Sequence, residues 1–276
     1  MTSSPSVRER FAAAAREERP DLAELCLLIG AEADPALDGT PCDLAQIELD
    51  RLAGLLPYGL STPLEWATAL HELLGVRHGF HGTPADYRRL GSSLLQEVLR
   101  RRRGLPILLS VVWMEVARRA GAPVYGVALP GHFVVGFGDP AGPYVLADPF
   151  DGGRVLSAAD TELLVAGATG SPLTPDMLVP ADPLDTVQRV LNNIRAWASP
   201  RPEHLPVQLW TLDLTLLLPR HPAKLRYERA QLLVQMGDFL GGAAAMEEYA
   251  EVIGSFDPES ATGIRRKARA ARALLN

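Results

Sequence analysis

The sequence has little cysteine, lysine or aromatic content, and each scarcity excludes a class of protein. Its only cysteines, Cys26 and Cys42, are too few for a disulfide framework and lack the His or Cys partners of a zinc site. Lysine occurs only at Lys224 and Lys267, and the net charge is −6, so no basic surface for nucleic acid or an anionic membrane is indicated. An aromatic content of 6% is low for a carbohydrate-binding or base-stacking surface. We expect neither nucleic acid nor a membrane as partner.

Long apolar runs are also missing. No segment reaches the ~20 apolar residues that span a bilayer, and residues 1–22 lack the continuous apolar stretch of a secretory signal. We therefore expect a cytoplasmic protein. What is present, 47% hydrophobic and 22% charged residues over 276 positions, is typical of a globular chain with one large or two modest domains.

Helical periodicity dominates the first third of the chain. Apolar residues recur at three- and four-residue spacing, often after an Asp or a Ser/Thr-Pro start. The runs lie at 6–18, 21–34, 43–56 and 63–76. A loop follows, and Ser92 and Ser93 are placed to cap the next helix. We predict a helical N-terminal region over residues 1–91.

The period then changes from helix to strand. One more helix is predicted over 106–120, and after it come four short runs rich in Val, Phe and Tyr, separated by Gly, Pro and Asp turns. They are APVYGVALP, HFVVGFG, GPYVLADPF and GRVLS. This pattern predicts a small antiparallel sheet. The fold class is therefore α+β, with a core over 92–170 in which a helix packs on the sheet.

The last third returns to helices. Prolines and small polar residues over 171–181 predict a linker, and residues 182–276 predict an all-helical module. Ala230, Gly237 and Gly242 occupy the small-residue offsets at which paired helices of tetratricopeptide-type repeats pack closely. Such a module offers a surface for a protein partner.

His132 and Asp148 form the predicted functional pair. The first begins one strand and the second ends the next, 16 positions later. In an antiparallel pair this spacing lets the carboxylate orient the imidazole. A nucleophile is then expected at the start of the preceding helix, where the dipole and free amides activate a thiol and stabilise an oxyanion.

The order of helix start, His strand and Asp strand resembles the transglutaminase-like (papain-type) superfamily. The resemblance covers about residues 25 to 255 and rests on PGHFVV, ADPFDGG and the helix beginning RRGLPILLS. HGFHGTPADY and LNNIRAW further resemble its bacterial SirB-type branch, which joins this core to a C-terminal tetratricopeptide-like module. The resemblance implies that His132 and Asp148 match the family's histidine and aspartate.

The same resemblance implies that Pro106 occupies the position of the catalytic cysteine. That cysteine lies two positions after a glycine and 15 before the glycine that ends its helix, and counting from Gly104 and from Gly121 both lead to Pro106. Proline removes the thiol and also the backbone amide that would donate to an oxyanion. It fits the first helical position without strain. We therefore expect the helix to form and the covalent mechanism to be absent.

Three hypotheses of function follow. The first is a pseudoenzyme that binds a peptide or small amide-type ligand at His132 and Asp148, with Pro106, Ser110, Trp113 and Phe133 as binding residues, in a regulatory or scaffolding role. The second is an enzyme without a thiol, a transferase, cyclase or hydrolase that uses the pair for acid–base chemistry. The third is a protein-interaction module formed by the C-terminal helices. No cofactor and no metal are expected.

Alternatives remain open for individual residues. Ser110 follows Pro106 by one helical turn and is either a displaced nucleophile or, as we favour, a packing residue hydrogen-bonded within its helix. Trp113 and Phe133, with Phe80 and Tyr87, are wall residues or ordinary core. His71, His78 and His81 lack the helical spacing of a metal site.

Overall fold

The structure is a computed structural model that describes residues 5–274. This part of the chain contains α-helices and one four-stranded sheet. The helices are α1 Val7–Ala14, α2 Leu22–Ala33, α3 Thr40–Ala53, α4 Pro63–Leu70, α5 Leu95–Arg101, α6 Pro106–Arg119, α7 Ala158–Thr169, α8 Pro183–Ala198, α9 Leu205–Leu217, α10 Lys224–Gln235, α11 Phe239–Ile253 and α12 Pro258–Ala273. The strands are β1 Val124–Val127, β2 Val134–Gly138, β3 Tyr144–Asp148 and β4 Arg154–Leu156. Within the described residues no helix has the length and apolar character to span a membrane.

The predicted α+β fold class is confirmed. The sheet has the order β1-β2-β3-β4 with every neighbouring pair antiparallel, so each strand follows its neighbour through a short connection. Helix α6 is buried along nearly its whole length and packs against β1 and β2, while α4 packs against β2 and β3. Burial of α6 on all sides explains why its sequence is almost continuously apolar.

The opposite face of the sheet is covered by α7 and the segment after it. Leu173, Met177 and Leu178 pack against a buried cluster centred on Val134. The backbone of this segment also joins the sheet, because the Ala181 amide donates to the Gly126 carbonyl at 2.8 Å. Residues 171–181 thus pack along the sheet through partly buried side chains, and their assignment as a linker remains a prediction.

The chain divides into two compact units, residues 1–193 and 194–276. The subdivision of the first unit at residue 91 remains a prediction. In the second unit, α10 packs against α9 and α11, and α11 against α12, around small buried side chains such as Ala230 and Ala243. A Cβ on Gly242 would lie 2.8 Å from the Ala230 carbonyl oxygen, so the small residues are what allow α10 and α11 to approach.

Three local predictions are corrected by the structure. The run 63–76 is α-helical only to Leu70 and continues as a π-helix over His71–Arg77. Helix α3 begins at Thr40 rather than near residue 43. Ser92 and Ser93 do not cap α5, because Ser92 Oγ donates instead to the Asp86 carboxylate at 3.2 Å.

Candidate functional site

The structure brings His132 and Asp148 into contact. His132 Nε2 lies 2.9 Å from Asp148 Oδ2. Because Val135 pairs with Ala147, extending that register makes His132 and Asp148 diagonal neighbours, a spacing that long side chains bridge. The imidazole is 13% exposed and the carboxylate 7%, so water screens their interaction only weakly.

A tight loop holds the Asp148 carboxylate in place. Its second oxygen, Oδ1, accepts a hydrogen bond from the Phe150 amide at 2.9 Å, and its carbonyl accepts one from the Gly153 amide at 2.7 Å. Gly152 and Gly153 have φ values of 63° and 86°, a region that favours glycine. Both oxygens of Asp148 are thus occupied, which fixes the orientation of the carboxylate toward His132.

The π-helix supports this loop from the other side. His71 Nδ1 lies 2.9 Å from the Gly152 carbonyl oxygen, and a Cβ on Gly75 would approach the same oxygen to 1.9 Å. No side chain fits between the two backbones at that point. The π-helix therefore packs directly against the loop that carries Asp148.

Arg189 fixes the backbone of His132. From α8, Arg189 Nη2 donates to the Leu129 carbonyl at 2.8 Å and to the His132 carbonyl at 2.6 Å. The guanidinium carbon also lies 5.7 Å from the centre of the Phe133 ring, a cation–π contact. Burial lowers the pKa of the Arg189 guanidinium. The residue thus holds both sides of the turn that presents the imidazole.

The free nitrogen of His132 is Nδ1. Since Nε2 faces the carboxylate, we infer that Nε2 carries a proton and donates it to Asp148. Nδ1 has no partner within residues 5–274 and is not sealed from solvent. In a neutral ring Nδ1 accepts a hydrogen bond, and in a charged ring it donates one. The arrangement can therefore bind a polar group or transfer a proton at Nδ1.

Pro106 lies at the first position of α6, as the sequence predicted. The amide of Leu105 donates to the Ser92 carbonyl at 2.9 Å, and the helix ladder begins with the bond from the Leu109 amide to the Leu105 carbonyl at 3.0 Å. Pro106 itself is buried. One turn later Ser110 Oγ donates to the Phe133 carbonyl at 3.2 Å, which ties the start of α6 to the residue after His132.

Neither cysteine lies at this pair. Cys26 is buried in α2, and burial together with the charge of Glu115 raises the pKa of its thiol. Cys42 donates to the Leu37 carbonyl at 3.3 Å, and burial raises the pKa of its thiol as well. A raised pKa disfavours the thiolate that attacks a substrate.

Three predicted binding residues are wholly enclosed. Trp113 is 0% exposed and Phe133 is 1% exposed, and Ser110 is buried with its hydroxyl directed at the Phe133 carbonyl rather than within its own helix. The enclosure corrects the prediction that these side chains present a surface to a ligand. They are core residues next to the site, and the Trp113 ring meets the Phe80 ring edge to face at 6.1 Å.

The structure places two further aromatic residues beside the pair. The Phe150 ring meets the His132 ring edge to face at 5.9 Å and the Tyr87 ring at 6.1 Å. Tyr87 is 51% exposed, and partial burial together with the Asp148 carboxylate raises the pKa of its phenol, while Arg189 acts in the opposite direction. The sequence suggested Tyr87 as an apolar wall but gave no sign of Phe150 or Arg189.

The other histidines have separate partners. His81 Nδ1 lies 2.9 Å from the Gly79 carbonyl oxygen and His78 Nδ1 lies 2.5 Å from Arg102 Nη1, while His71 contacts the Asp148 loop. Among residues 5–274, no three His, Cys, Asp or Glu side chains are grouped so as to hold a metal ion.

An apolar cavity of about 630 Å³ lies elsewhere on the first unit. It is formed by α4, the π-helix and residues 55–62, and shares no lining residue with the His132 and Asp148 site. Leu55 and Leu64 line it and are about half exposed.

Comparisons with known proteins agree with this architecture. The sequence profile of the transglutaminase-like superfamily matches residues 43–192, and that of the tetratricopeptide repeat matches residues 194–276. A UPF0162 protein of Xylella fastidiosa is 30% identical over 242 residues, which cover 86% of this chain and 85% of that protein.

Two further relatives are similar over shorter stretches. A UPF0162 protein of Pseudomonas aeruginosa is 33% identical over 180 residues, covering 65% of each chain. F-box only protein 21 of Mus musculus is 26% identical over 173 residues, covering 60% of this chain and 26% of that protein. The predicted resemblance is confirmed: the chain belongs to the transglutaminase-like superfamily, together with the UPF0162 proteins, and carries C-terminal tetratricopeptide repeats.

Proposed function

We propose that this protein binds a peptide or small amide-type ligand noncovalently at His132 and Asp148, and that it acts in regulation or as a scaffold. The observation that carries the proposal is the fixed imidazole beside a helix that begins with Pro106. His132 Nε2 is held by Asp148 at 2.9 Å, and Nδ1 is left open to a ligand.

The lack of a nucleophilic side chain at position 106, the start of α6, favours binding over covalent catalysis. Pro106 supplies neither a thiol nor a backbone amide for an oxyanion, and losing one such donor lowers a rate by roughly 10²-fold or more. Ser110 does not replace the thiol, because its hydroxyl is buried and donates to the Phe133 carbonyl. What remains is a polar nitrogen with aromatic neighbours, a combination that suits recognition of an amide.

Titration with a library of N-acetylated, C-amidated dipeptides tests the proposal. We expect binding to shift the NMR signals of His132, and His132→Ala to weaken the affinity by roughly tenfold, as expected for a lost hydrogen bond to a partly buried group. His221→Ala, in a turn of the second unit, is the matched control. Equal affinities for wild type and His132→Ala would place the ligand elsewhere.

A second candidate is an enzyme that uses the same pair without a thiol. The favouring observation is that Asp148 fixes one imidazole nitrogen while Nδ1 stays free, which is the geometry of a general base or acid. Positioned acid–base catalysis alone supplies about 10²–10⁴-fold, enough for an activated substrate. Hydrolysis of p-nitrophenyl esters that is lost in both His132→Ala and Asp148→Asn would support it. Turnover that persists in both variants would exclude His132 and Asp148 as the catalytic groups.

A third candidate places a protein partner on the second unit. A cavity of about 620 Å³ lies among the end of α8, α9 and α10 and is lined by Gln208, Gln231 and Gln235 together with charged groups. Such side chains hydrogen-bond well to peptide backbones. A partner captured by the full chain should be lost with Gln208→Ala and Gln235→Ala combined, yet retained by His132→Ala. If the glutamine variant still captures the partner, the partner does not bind at this cavity.

A further inference from the structure

We infer that Arg189 and Tyr87 bind a carboxylate group of the ligand beside His132. The inference rests on the proposed function, because it specifies the chemistry of the ligand at the same site. It concerns residues of α8 and of the segment before α5, which lie outside the motifs that suggested the His and Asp pair.

The first argument is the environment of Arg189. Its guanidinium is half-buried, and no carboxylate among residues 5–274 lies within ion-pairing distance of it. Among the other half-buried arginines of this unit, Arg101 contacts Asp86 and Arg119 contacts Asp50 and Glu115, whereas Arg103 also lacks a carboxylate partner within residues 5–274. A partly desolvated cation without a counter-charge is costly unless an anion compensates it.

The second argument is the number of donors left on Arg189. A guanidinium has five N–H groups, and the two carbonyl contacts use those of Nη2. The Nε and Nη1 groups have no acceptor within the described chain, and neither atom is sealed from solvent. Arginine N–H groups form charge-assisted hydrogen bonds with carboxylates. Because Nε and Nη1 lie on opposite sides of the guanidinium, a carboxylate oxygen accepts from one of these two groups.

The third argument is the position of Tyr87. Its ring meets Phe150, which in turn meets His132, and the charge of Arg189 acts on its phenol. The hydroxyl has no partner among residues 5–274 and is open to solvent. A phenol beside a guanidinium supplies one more donor for a carboxylate oxygen. Asp148 does not compete for Arg189, because its two oxygens are taken by His132 and the Phe150 amide.

The arrangement connects the two halves of the site. Arg189 donates to the carbonyl of His132 itself, so an anion on the guanidinium lies close to the residue whose Nδ1 faces the ligand. A ligand with a carboxylate near an amide would then engage both. The fitting class is a peptide with a free C-terminal carboxylate, or an acidic side chain, bound by one end.

Acetate and acetamide are the probes that test this inference, because they have nearly the same shape and differ in charge. Both are titrated into the full chain at constant ionic strength while NMR signals of His132 and Tyr87 are followed. We expect acetate to shift these signals at millimolar concentration and acetamide to leave them in place. Arg189→Gln should weaken acetate binding by roughly tenfold or more, and Arg220→Met, at an exposed arginine, should not.

A second variant separates the loss of a ligand contact from disturbance of the turn that Arg189 holds. Tyr87→Phe leaves the bonds to Leu129 and His132 intact and should weaken acetate binding by several-fold, as expected for one lost hydrogen bond. Equal binding of acetate and acetamide, or unchanged acetate binding in both variants, would overturn the inference. If the C-amidated dipeptides still bind through His132 while acetate does not, only the carboxylate site is refuted. If the dipeptides also fail, the proposed function fails with it.

Discussion

His132 and Asp148 are 16 residues apart in the chain, and their side chains meet at 2.9 Å beside the adjoining ends of β2 and β3. The contact is held from three directions, by Arg189 on the backbone of His132, by the Phe150 amide on Asp148, and by the π-helix beneath the Asp148 loop. The pair is therefore preorganised, with its geometry set before any ligand arrives.

Removing the carboxylate should lower stability measurably. In Asp148→Ala, His132 and the Phe150 amide both lose a buried charged acceptor, and we expect the free energy of unfolding to fall by about 2–3 kcal/mol. Urea denaturation followed by circular dichroism measures the change. Asp151→Ala, three residues along, removes a carboxylate that is 62% exposed and pairs with Arg154; its loss should be below ~1 kcal/mol. Equal effects would mean that the His132 contact contributes little.

Installing a thiol at the helix start should create a reactive group. In Pro106→Cys the new side chain stands at the first turn of α6, where the helix dipole and a nearby imidazole favour the thiolate. Because position 106 is buried, the thiolate is followed by its ultraviolet absorbance during a pH titration, and we expect it to form at lower pH than the thiolate of Cys42, whose pKa is raised by burial. The double variant Pro106→Cys with His132→Ala should lose most of that advantage. A thiol at 106 that ionises at no lower pH than Cys42 would contradict the assignment of this position.

The backbone contact beneath Asp148 should not tolerate a methyl group. A Cβ on Gly75 would lie 1.9 Å from the Gly152 carbonyl oxygen, so Gly75→Ala should lower the free energy of unfolding by about 1–3 kcal/mol and shift the NMR signals of His132. Gly167→Ala, in α7 with open space around it, should be neutral or stabilise by up to ~1 kcal/mol. A Gly75→Ala protein as stable as wild type would show that the Asp148 loop can move away without a loss of stability.

Close packing of α10 and α11 predicts a similar contrast in the second unit. A Cβ on Gly242 would lie 2.5 Å from Val234 Cγ2 and 2.8 Å from the Ala230 carbonyl oxygen. Gly242→Ala should therefore destabilise this unit by about 1–3 kcal/mol. Gly263→Ala, in open space on α12, should not. Thermal unfolding of the two full-length variants tests the prediction, and a Gly242→Ala protein as stable as wild type would refute it.

Two helix-capping carboxylates should make the fold sensitive to acid. Backbone hydrogen bonds from Ser61 and Thr62 lower the pKa of Glu65 from 4.5 to about 2, and bonds from Ser157 lower the pKa of Asp160 from 3.8 to about 2. A carboxyl with a lowered native pKa stabilises the fold above its unfolded pKa, and the contribution is lost as the pH falls toward the native value.

The variant Glu65→Gln with Asp160→Asn tests this sign. It should be less stable than wild type at about pH 7, and the difference should shrink as the pH falls from about 5 toward about 2. Urea unfolding across that pH range measures how the stability of each protein depends on pH. Parallel pH profiles for the two proteins would show that these caps do not contribute to acid sensitivity.

Much of this architecture could be predicted from local patterns. Helical periodicity and the change to short Val-rich runs give the α+β class, because one buried face dictates a period of 3.6 in a helix and of 2 in a strand. The small residues Ala230 and Gly242 likewise indicate paired helices. Proline at position 106 marks a helix start because its ring already has a helical φ.

Contacts between distant segments escape such patterns. In the π-helix His71–Arg77 the Gly75 backbone meets that of Gly152, and nothing in the sequence of 71–77 indicates a contact with residue 152. The enclosure of Ser110, Trp113 and Phe133 follows from packing on all sides of α6, whereas the sequence shows only that these residues share a helix or adjoin a strand.

By itself the sequence determined the elements, their order and the presence of a histidine and an aspartate at neighbouring strand ends. The tertiary structure alone decided which side chains join them, bringing Arg189 from α8 and Tyr87 from before α5 to the same place. The physical reason is the distance along the chain over which each kind of interaction acts. Periodicity and capping act over a few residues, whereas the charge and hydrogen-bond donors of a site are collected by chain segments that only packing brings together.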